Sequence, residues 1–126
     1  MLQEWGVIVG EPAPTAPELP DVRRRGLRLS LLHEEFEEYV DAECKNDIVK
    51  IADGLADMAY IIWGTAREYG IPLDACIAEV HRSNMTKTIG GVVQRLDGKI
   101  MKGKSYEPPN PGRVLYQNSD GGKGEV

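Results

Sequence analysis

The segment 31–66 contains two predicted helices that carry acidic side chains where apolar ones are expected. The second, Ile51–Ala66, is apolar nearly all round, which is typical of a helix that is buried on every side. Its only charged residues are Asp53 and Asp57, which lie one turn apart and therefore share a face. No lysine or arginine within that stretch can neutralise them. Two carboxylates on a buried helix need a cation beside them, so this feature predicts a metal site.

The first of the two helices supplies further carboxylates on its inward stripe. At about 100° per residue, Leu27 and Leu31 begin this stripe. Glu34 and Glu38 continue it, and Glu35 lies at its edge. Carboxylates are rarely buried unless they are paired or bind a metal ion, and oxygen ligands of this kind favour Mg²⁺ or Mn²⁺.

The acidic run also has a simpler interpretation as a solvated helix face, which is the default for Glu37. The apolar surroundings of Asp53 and Asp57 favour the metal site instead. The predicted metal ligands are Glu34, Glu35, Glu38, Asp53 and Asp57.

The sequence LLHEEFEEYVDA, followed by DIVKIADGLADMAYIIWGTA, resembles the MazG-like, all-α nucleoside triphosphate pyrophosphohydrolases in their small phage and bacterial form. The first half of the family signature, E-E-x-x-E, stands intact as Glu34, Glu35 and Glu38. In the second half, E-x-x-D, Asp57 matches the final Asp, but Gly54 stands where a Glu is expected. Asp53, one position earlier, is the predicted substitute ligand. The resemblance spans about residues 5–109 and includes the later HRSNMTK and DGK sequences.

The resemblance implies metal-dependent hydrolysis of a (deoxy)nucleoside triphosphate at the α-phosphate, which yields a nucleoside monophosphate and pyrophosphate. It implies two or three Mg²⁺ or Mn²⁺ ions per site and either Glu34 or Glu35 as the general base. The short form also resembles the (d)GTP-cleaving MazZ enzymes of phages with modified-base genomes, which favours dGTP or GTP as substrate. The residues predicted to contact the nucleotide are Asn84, Lys87, Tyr60 and Trp63.

Several alternatives stay open at this point. The enzyme could prefer dUTP or dCTP, act broadly as a house-cleaning pyrophosphatase, or cleave phosphoribosyl-ATP. The departure at Gly54 also leaves room for a non-catalytic helical interaction module. A carboxylate-bridged di-iron protein needs E-x-x-H on paired helices, a spacing that Glu79 and His81 do not provide. Turnover of a nucleotide panel and the iron content separate these classes.

The predicted fold is all-α: a four-helix MazG-like bundle with a small C-terminal hairpin and an extended tail, in one domain that spans residues 1–126. The capping residues predicted for the two long helices are Asp21 and Asn46. Gly70 should end the second long helix, and Asp97-Gly98 signals the hairpin turn. The other predicted segments are a short helix at 1–10, a Pro-rich connector at 11–20, a helix at 72–85 and an extended, partly mobile tail at 105–126.

Composition limits the partners of the chain. It has 15 basic and 20 acidic residues, a net charge of −5 and no basic patch, so we expect no nucleic-acid partner. Cys44 and Cys76 have no metal-ligand spacing. With no signal peptide or apolar span, we expect no membrane partner and a cytoplasmic location, in the host cytoplasm if a phage encodes the protein. The apolar helix and the resemblance both predict a homodimer or homotetramer.

Overall fold

A computed structural model of the protein describes residues 13–89 and 91–117. The helix predicted for residues 1–10, the start of the Pro-rich connector and the last nine residues of the tail lie outside the described residues. The chain divides into two compact units, Met1–Ile71 and Pro72–Val126. The described residues form four α-helices, in agreement with the predicted all-α class. None of these helices is both long and apolar enough to cross a membrane.

The first unit is an antiparallel hairpin of two helices, α1 (Val22–Cys44) and α2 (Ile48–Glu68). Asp21 caps α1 as predicted, because its side chain accepts a hydrogen bond at 2.8 Å from the backbone amide three residues on. The predicted cap of α2 is wrong by one residue. Asp47 caps this helix, accepting a backbone hydrogen bond at 3.2 Å. Asn46 instead adopts a φ of 53°, a left-handed conformation that helps a three-residue connection reverse the chain.

The Pro-rich connector lies against the C-terminal end of α2. Gly70 follows this helix with a φ of 67°, as expected for a glycine that terminates a helix. A side chain at Gly70 would collide with the backbone carbonyl of Ala16 in the connector. The backbone amide of Glu18 donates a hydrogen bond to the carbonyl of Tyr69 at 2.9 Å. The connector is therefore attached to the hairpin through residues 16–18.

An ion-pair network joins α1 to α2 at the end of the hairpin away from the connection. Glu68 accepts two hydrogen bonds from Arg24, at 2.6 and 2.8 Å, and one from Arg28 at 3.2 Å. The Arg28 guanidinium also donates to the Thr65 hydroxyl and to the Ile61 carbonyl, both at 3.0 Å. The side chains of Arg28 and Glu68 are only 12% and 9% exposed, so the pair is weakly screened by water. Ion pairs thus hold the two helices together at the open end of the hairpin.

Apolar side chains line the outside of the hairpin. In the described part of the chain, only Ala42 and Ala66 are buried apolar residues. Exposed apolar residues recur on α1 at heptad spacing, as Val22, Leu29, Phe36 and Val40. A second stripe follows α2 at a/d spacing, as Ile48, Ala52, Leu55, Ala59 and Ile62. Within one chain a single neighbouring helix covers only one face of α2, so the burial of its other faces against another subunit stays a prediction.

The second unit begins with α3 (Leu73–Met85), which continues into a 3-10 helix (Thr86–Thr88). The predicted turn at Asp97-Gly98 is present. It is flanked by an isolated antiparallel bridge between Gln94 and Ile100, which closes a short hairpin without forming a longer strand pair there.

The predicted extended tail is wrong for residues 111–116, where a short helix forms, α4 (Pro111–Tyr116). Asn110 caps it, since its side chain accepts a hydrogen bond from the Arg113 amide at 3.1 Å. The proline at the first helical position has a backbone angle already suited to a helix and needs no hydrogen-bond acceptor for its nitrogen.

A buried carboxylate ties this tail segment to α3. Glu79 is 7% exposed and accepts hydrogen bonds from the Arg82 guanidinium at 3.0 and 2.9 Å. It also accepts from the Asn110 amide at 2.8 Å and from Arg113 at 3.2 Å. The hydrogen bonds from Arg82, and then that from Asn110, lower the pKa of Glu79 to about 2. The carboxylate therefore stays charged and holds the segment before α4 on α3.

Candidate active site

The α1–α2 hairpin carries a cleft with a volume of about 550 Å³. Four of the five predicted ligands line it, namely Glu34, Glu38, Asp53 and Asp57. Three further charged residues of the lining were not among the predicted ligands, namely Glu37, Asp41 and Lys50. The cleft wall thus holds six carboxylates and one lysine, an excess of negative charge that attracts cations.

The fifth predicted ligand, Glu35, contacts Asp57 across the two helices. The two carboxyl groups are close enough for Asp57 to act directly on Glu35. Partial burial raises the pKa of Glu35 above its ordinary value of 4.5, and the charges of Glu38 and Asp57 raise it further. Two carboxyl groups in contact are stable only with a proton or a cation between them, so this pair marks where a bound cation would relieve most repulsion.

Gly54 explains the departure from the acidic signature. It is buried against Tyr39 of α1, and a Cβ atom there would lie 3.2 Å from both Cα and Cβ of that residue. That separation is tighter than ordinary carbon–carbon contact at about 3.5–4.0 Å. The position is therefore a tight contact between the helices, where any added side chain requires Tyr39 to move by a few tenths of an ångström. Asp53, one residue earlier, lines the cleft, although it is exposed and not buried as predicted.

The outer acids of the cleft have cationic neighbours of their own. Asp41 pairs with Lys45 at 2.8 Å, and Glu37 lies 3.5 Å from the imidazole of His33. The side chains of both acids are more than half exposed, so these pairs contribute little to stability. The default interpretation of Glu37 as a solvated residue agrees with its exposure, although it also borders the cleft.

The donor set of the cleft fits Mg²⁺ or Mn²⁺, since every candidate ligand is a carboxylate. Within residues 13–89 and 91–117, however, no three His, Cys, Asp or Glu side chains converge closely enough to hold an ion together. These residues therefore fit a divalent cation by their chemical type and by their position around one cleft. Ligation would require exposed side chains such as Glu34 and Asp53 to rotate towards the Glu35–Asp57 pair.

The predicted substrate-binding residues fall in both units. Tyr60 and Trp63 lie on α2, with Tyr60 38% exposed and Trp63 half-buried. Asn84 is exposed in the last turn of α3. Lys87 lies in the 3-10 helix that follows, with its ammonium 5.9 Å from the centre of the Tyr106 ring. Tyr60 and Trp63 are thus three residues apart in the first unit, and Asn84 and Lys87 are three residues apart in the second unit.

The sequence does contain a pattern that places Lys50 beside the predicted ligands. Lys50 precedes Asp53 by three residues and so shares its helix face. It lies just outside the lysine-free stretch from Ile51 on which the metal prediction depended. The structure adds this cation to the acidic wall.

Comparison with known proteins gives two similarities. The model of the phosphoribosyl-ATP pyrophosphohydrolase family matches residues 3–84, well over half of the chain. An uncharacterized protein of Acanthamoeba polyphaga mimivirus is 42% identical over 48 residues. That stretch is 38% of this chain and 19% of the viral protein, so the chain spans only a minor part of this relative.

Proposed function

Because the chain belongs to the phosphoribosyl-ATP pyrophosphohydrolase family, we propose that it hydrolyses a (deoxy)nucleoside triphosphate at the α-phosphate. The products would be a nucleoside monophosphate and pyrophosphate. The observation that carries this proposal is the acidic cleft of the hairpin, which is lined by Glu34, Glu38, Asp53 and Asp57.

The cleft is negative, as is the triphosphate, so the two associate only with cations between them. Mg²⁺ or Mn²⁺, two or three per site, would neutralise the phosphates and lower the pKa of a water molecule. Glu38, Asp53 and Asp57, together with Glu34 or Glu35, would hold these ions. The chain's own contribution is to fix the carboxylates on two rigid helices that are joined at both ends.

The reaction needs a group that accepts a proton from the attacking water. As the new bond to the α-phosphorus forms, the bond to the pyrophosphate oxygen breaks and the proton passes to a carboxylate. Glu34 and Glu35 are adjacent on α1, and Glu35 reaches across to Asp57 while Glu34 faces the cleft. We assign the base role to one of these two residues.

Turnover of a nucleotide panel tests the proposal. The purified protein is incubated with each common NTP and dNTP, with Mg²⁺ or Mn²⁺, and monophosphate and pyrophosphate are measured. We expect both products in equal amounts. Release of single phosphate would show cleavage at another bond and overturn the mechanism. Absence of any turnover would favour the non-catalytic interaction module.

A pair of variants on α1 tests the site. Glu38→Ala should lower turnover by at least about 100-fold, since the loss of a ligand should cost no less than the 10–100-fold typical of its supporting residues. Glu43→Gln removes the same charge from the same helix, outside the cleft lining, and keeps an oxygen that can accept the hydrogen bond of the Tyr39 hydroxyl, so it should keep turnover within about twofold. Mn²⁺ titration without nucleotide gives an independent readout. Equal Mn²⁺ affinity in the two variants would contradict the ligand assignment.

The base preference is proposed from the resemblance to MazZ enzymes, which makes dGTP and GTP the first substrates to test. dUTP, dCTP and broad-specificity hydrolysis are the alternatives within the same chemistry. A second candidate substrate is phosphoribosyl-ATP, because the matching family is described by that activity. Its triphosphate is cleaved at the same bond, so the panel should include it.

We also propose that the protein is a homodimer, or a tetramer made of two dimers. Each of the two helices of the hairpin carries an exposed apolar stripe, and joining two hairpins through these stripes would make a four-helix bundle. Leu55 is 50% exposed at the centre of the α2 stripe, so Leu55→Glu should yield a smaller species in sedimentation velocity. Ser30→Glu adds the same charge at an exposed position outside the stripes and should leave the assembly intact. A monomeric wild type would contradict this proposal.

A further inference from the structure

Basic side chains of the first unit are unevenly distributed along the acidic cleft. Asp41 and Lys50 line the end that adjoins the connection between α1 and α2, where Asp41 also pairs with Lys45 at 2.8 Å. Glu35 and Asp57 lie towards the other end, since Asp57 follows Lys50 on α2 by seven residues, or about 10 Å. The two ends of the cleft therefore differ in charge.

The predicted metal ligands have no basic partner of their own. In the described part of the chain, no lysine or arginine lies within ion-pair distance of Glu34, Glu35, Glu38, Asp53 or Asp57. Partial burial, together with the charges of Glu38 and Asp57, raises the pKa of Glu35. The end of the cleft near Glu35 and Asp57 therefore has the greater need for a cation from solution.

Lys50 has a fixed backbone position and a flexible side chain. Asp47 caps α2 by accepting a hydrogen bond from the Lys50 amide at 3.2 Å, which fixes the backbone there. The Lys50 side chain lines the cleft, yet among the described residues no carboxylate lies within ion-pair distance of its ammonium group. Because its four-carbon stem is flexible, the ammonium group can approach several carboxylates in turn. Lys50 thus supplies positive charge to the connection end as a whole.

We propose that Lys50 is a resident cation of the cleft, which supplies positive charge at the connection end and thereby directs divalent ions to the end near Glu35 and Asp57. This inference rests on the proposed function for the binding of Mg²⁺ or Mn²⁺ in the cleft, but not for the reaction. An ammonium group repels divalent ions, and the repulsion is strongest within the screening length of about 8 Å. Lys50 is therefore a positioning residue, which influences where the ions bind without ligating them.

Mn²⁺ titration of the nucleotide-free protein tests this role without turnover, with the unbound ion measured by electron paramagnetic resonance. Lys50→Met should raise the affinity for Mn²⁺ about fivefold or more, because it removes a positive charge from the wall of the cleft. Lys50→Arg keeps the charge and should bind Mn²⁺ within about twofold of the wild type. An affinity in Lys50→Met that equals that of the wild type, or falls below it, would overturn the proposal.

Arg23→Met is the matched control for the loss of one positive charge. Arg23 is exposed on α1 and precedes Glu34 by 11 residues, or about 16 Å along the helix. Because this distance exceeds the screening length, Arg23→Met should change the affinity for Mn²⁺ by less than about twofold. Equal gains in Lys50→Met and Arg23→Met would show that net charge sets the affinity, and would also overturn the proposal.

Thermal unfolding gives a second readout and monitors the fold. Without metal, Lys50→Met should have a lower Tm than the wild type, because the carboxylates of the cleft lose a positive neighbour. Saturating Mn²⁺ should raise the Tm of Lys50→Met more than that of the wild type, since the variant binds the ion more tightly. A damaged fold would instead bind Mn²⁺ more weakly. An unchanged Tm in metal-free Lys50→Met would show that Lys50 does not neutralise the acidic wall.

Failure of this inference is distinguishable from failure of the proposed function. If no nucleotide is hydrolysed but the Mn²⁺ affinities follow the expected order, the role of Lys50 stands and the proposed reaction is wrong. If a nucleotide is hydrolysed and Lys50→Met binds Mn²⁺ as the wild type does, the reaction stands and the role of Lys50 is wrong. If the wild type and Lys50→Met both fail to bind Mn²⁺, the resident-cation role is wrong whatever the nucleotide panel shows.

Discussion

Gly54 offers a sharp test of the hairpin, because a single added methyl group has two opposing effects there. In a helix, alanine is favoured over glycine by about 1 kcal/mol. At Gly54, however, the new Cβ would lie 3.2 Å from Cα and Cβ of Tyr39, atoms of the α1 backbone and its base that cannot rotate away. Overpacking of this kind costs about 1–3 kcal/mol. Gly54→Ala should therefore be neutral to about 2 kcal/mol less stable than the wild type.

Gly26 is the matched control. It also lies within a helix, in α1, and nothing stands within 4 Å of a Cβ built there. Gly26→Ala should therefore gain the full helix preference of about 1 kcal/mol. The two variants differ from the wild type by the same methyl group, so the difference between them, about 1–3 kcal/mol, isolates the contact with Tyr39.

The assay is urea unfolding of metal-free protein, followed by circular dichroism at one fixed protein concentration, because association shifts apparent stability. A shift of about 1 kcal/mol corresponds to roughly 2–8 °C in Tm for domains of this size class. Since Tyr39 adjoins Glu38, Gly54→Ala should also weaken Mn²⁺ binding, whereas Gly26→Ala should not. Equal stabilisation by the two substitutions would refute the close approach of the helices at Gly54.

Three further predictions concern charged groups. The folded protein raises the pKa of Glu35 above the unfolded pKa of 4.5. Glu35 therefore stabilises the fold below pH 4.5, and this stabilisation is lost as pH rises through the pKa in the folded state. Glu35→Gln should therefore raise the Tm of the metal-free protein at pH 7. An unchanged or lower Tm would contradict the repulsion between Glu35 and the neighbouring carboxylates. Glu68→Gln should cost about 3 kcal/mol in urea unfolding, because it leaves the weakly exposed Arg28 without its carboxylate; a loss within error would show that the network is dispensable. The pKa of Glu79, lowered to about 2, means that its stabilisation is complete above pH 4.5 and is lost as pH falls towards 2. Its carboxyl carbon should titrate near pH 2 by NMR, and a midpoint near 4.5 would exclude the buried ion pairs.

Features governed by local sequence were predictable. The cap at Asp21, the helix end at Gly70 and the turn at Asp97-Gly98 each depend on a few neighbouring residues, and all three are confirmed. The resemblance to MazG-like enzymes is confirmed by the family match over residues 3–84. The cap of α2 was not predictable in this way. Both Asn and Asp can cap a helix, and the choice of Asp47 over Asn46 depends on the backbone geometry of the connection between α1 and α2.

Features that depend on how helices meet were not predictable. Helical period placed Glu34 and Glu38 on one face, but the contact of Glu35 with Asp57 requires the register between α1 and α2. The reason for Gly54 is likewise a distance to the other helix. The surface that covers the other apolar faces of α2 is also beyond the sequence, because a sequence shows that a helix is apolar without showing what packs on it.

The helix α4 was missed for a different reason. The prolines before it favoured an extended reading, and the combination of Asn110 with the following proline was not recognised as a helix start. Its anchor, Glu79, lies 31 residues from Asn110, so the contact is invisible to any local pattern. The contact of Lys87 with the Tyr106 ring could not be predicted for the same reason.

The hairpin is closed at one end by a covalent connection and at the other by the pair of Arg28 with Glu68, with an acidic wall between them. Added salt acts unequally on these parts. At physiological ionic strength the screening length is about 8 Å, which weakens repulsion among exposed carboxylates more than it weakens a nearly buried ion pair. The metal-free protein should therefore grow more stable as inert monovalent salt is added, the reverse of a fold held mainly by surface ion pairs. Its acidic wall makes ionic strength itself a partial substitute for the cation that we propose the cleft binds.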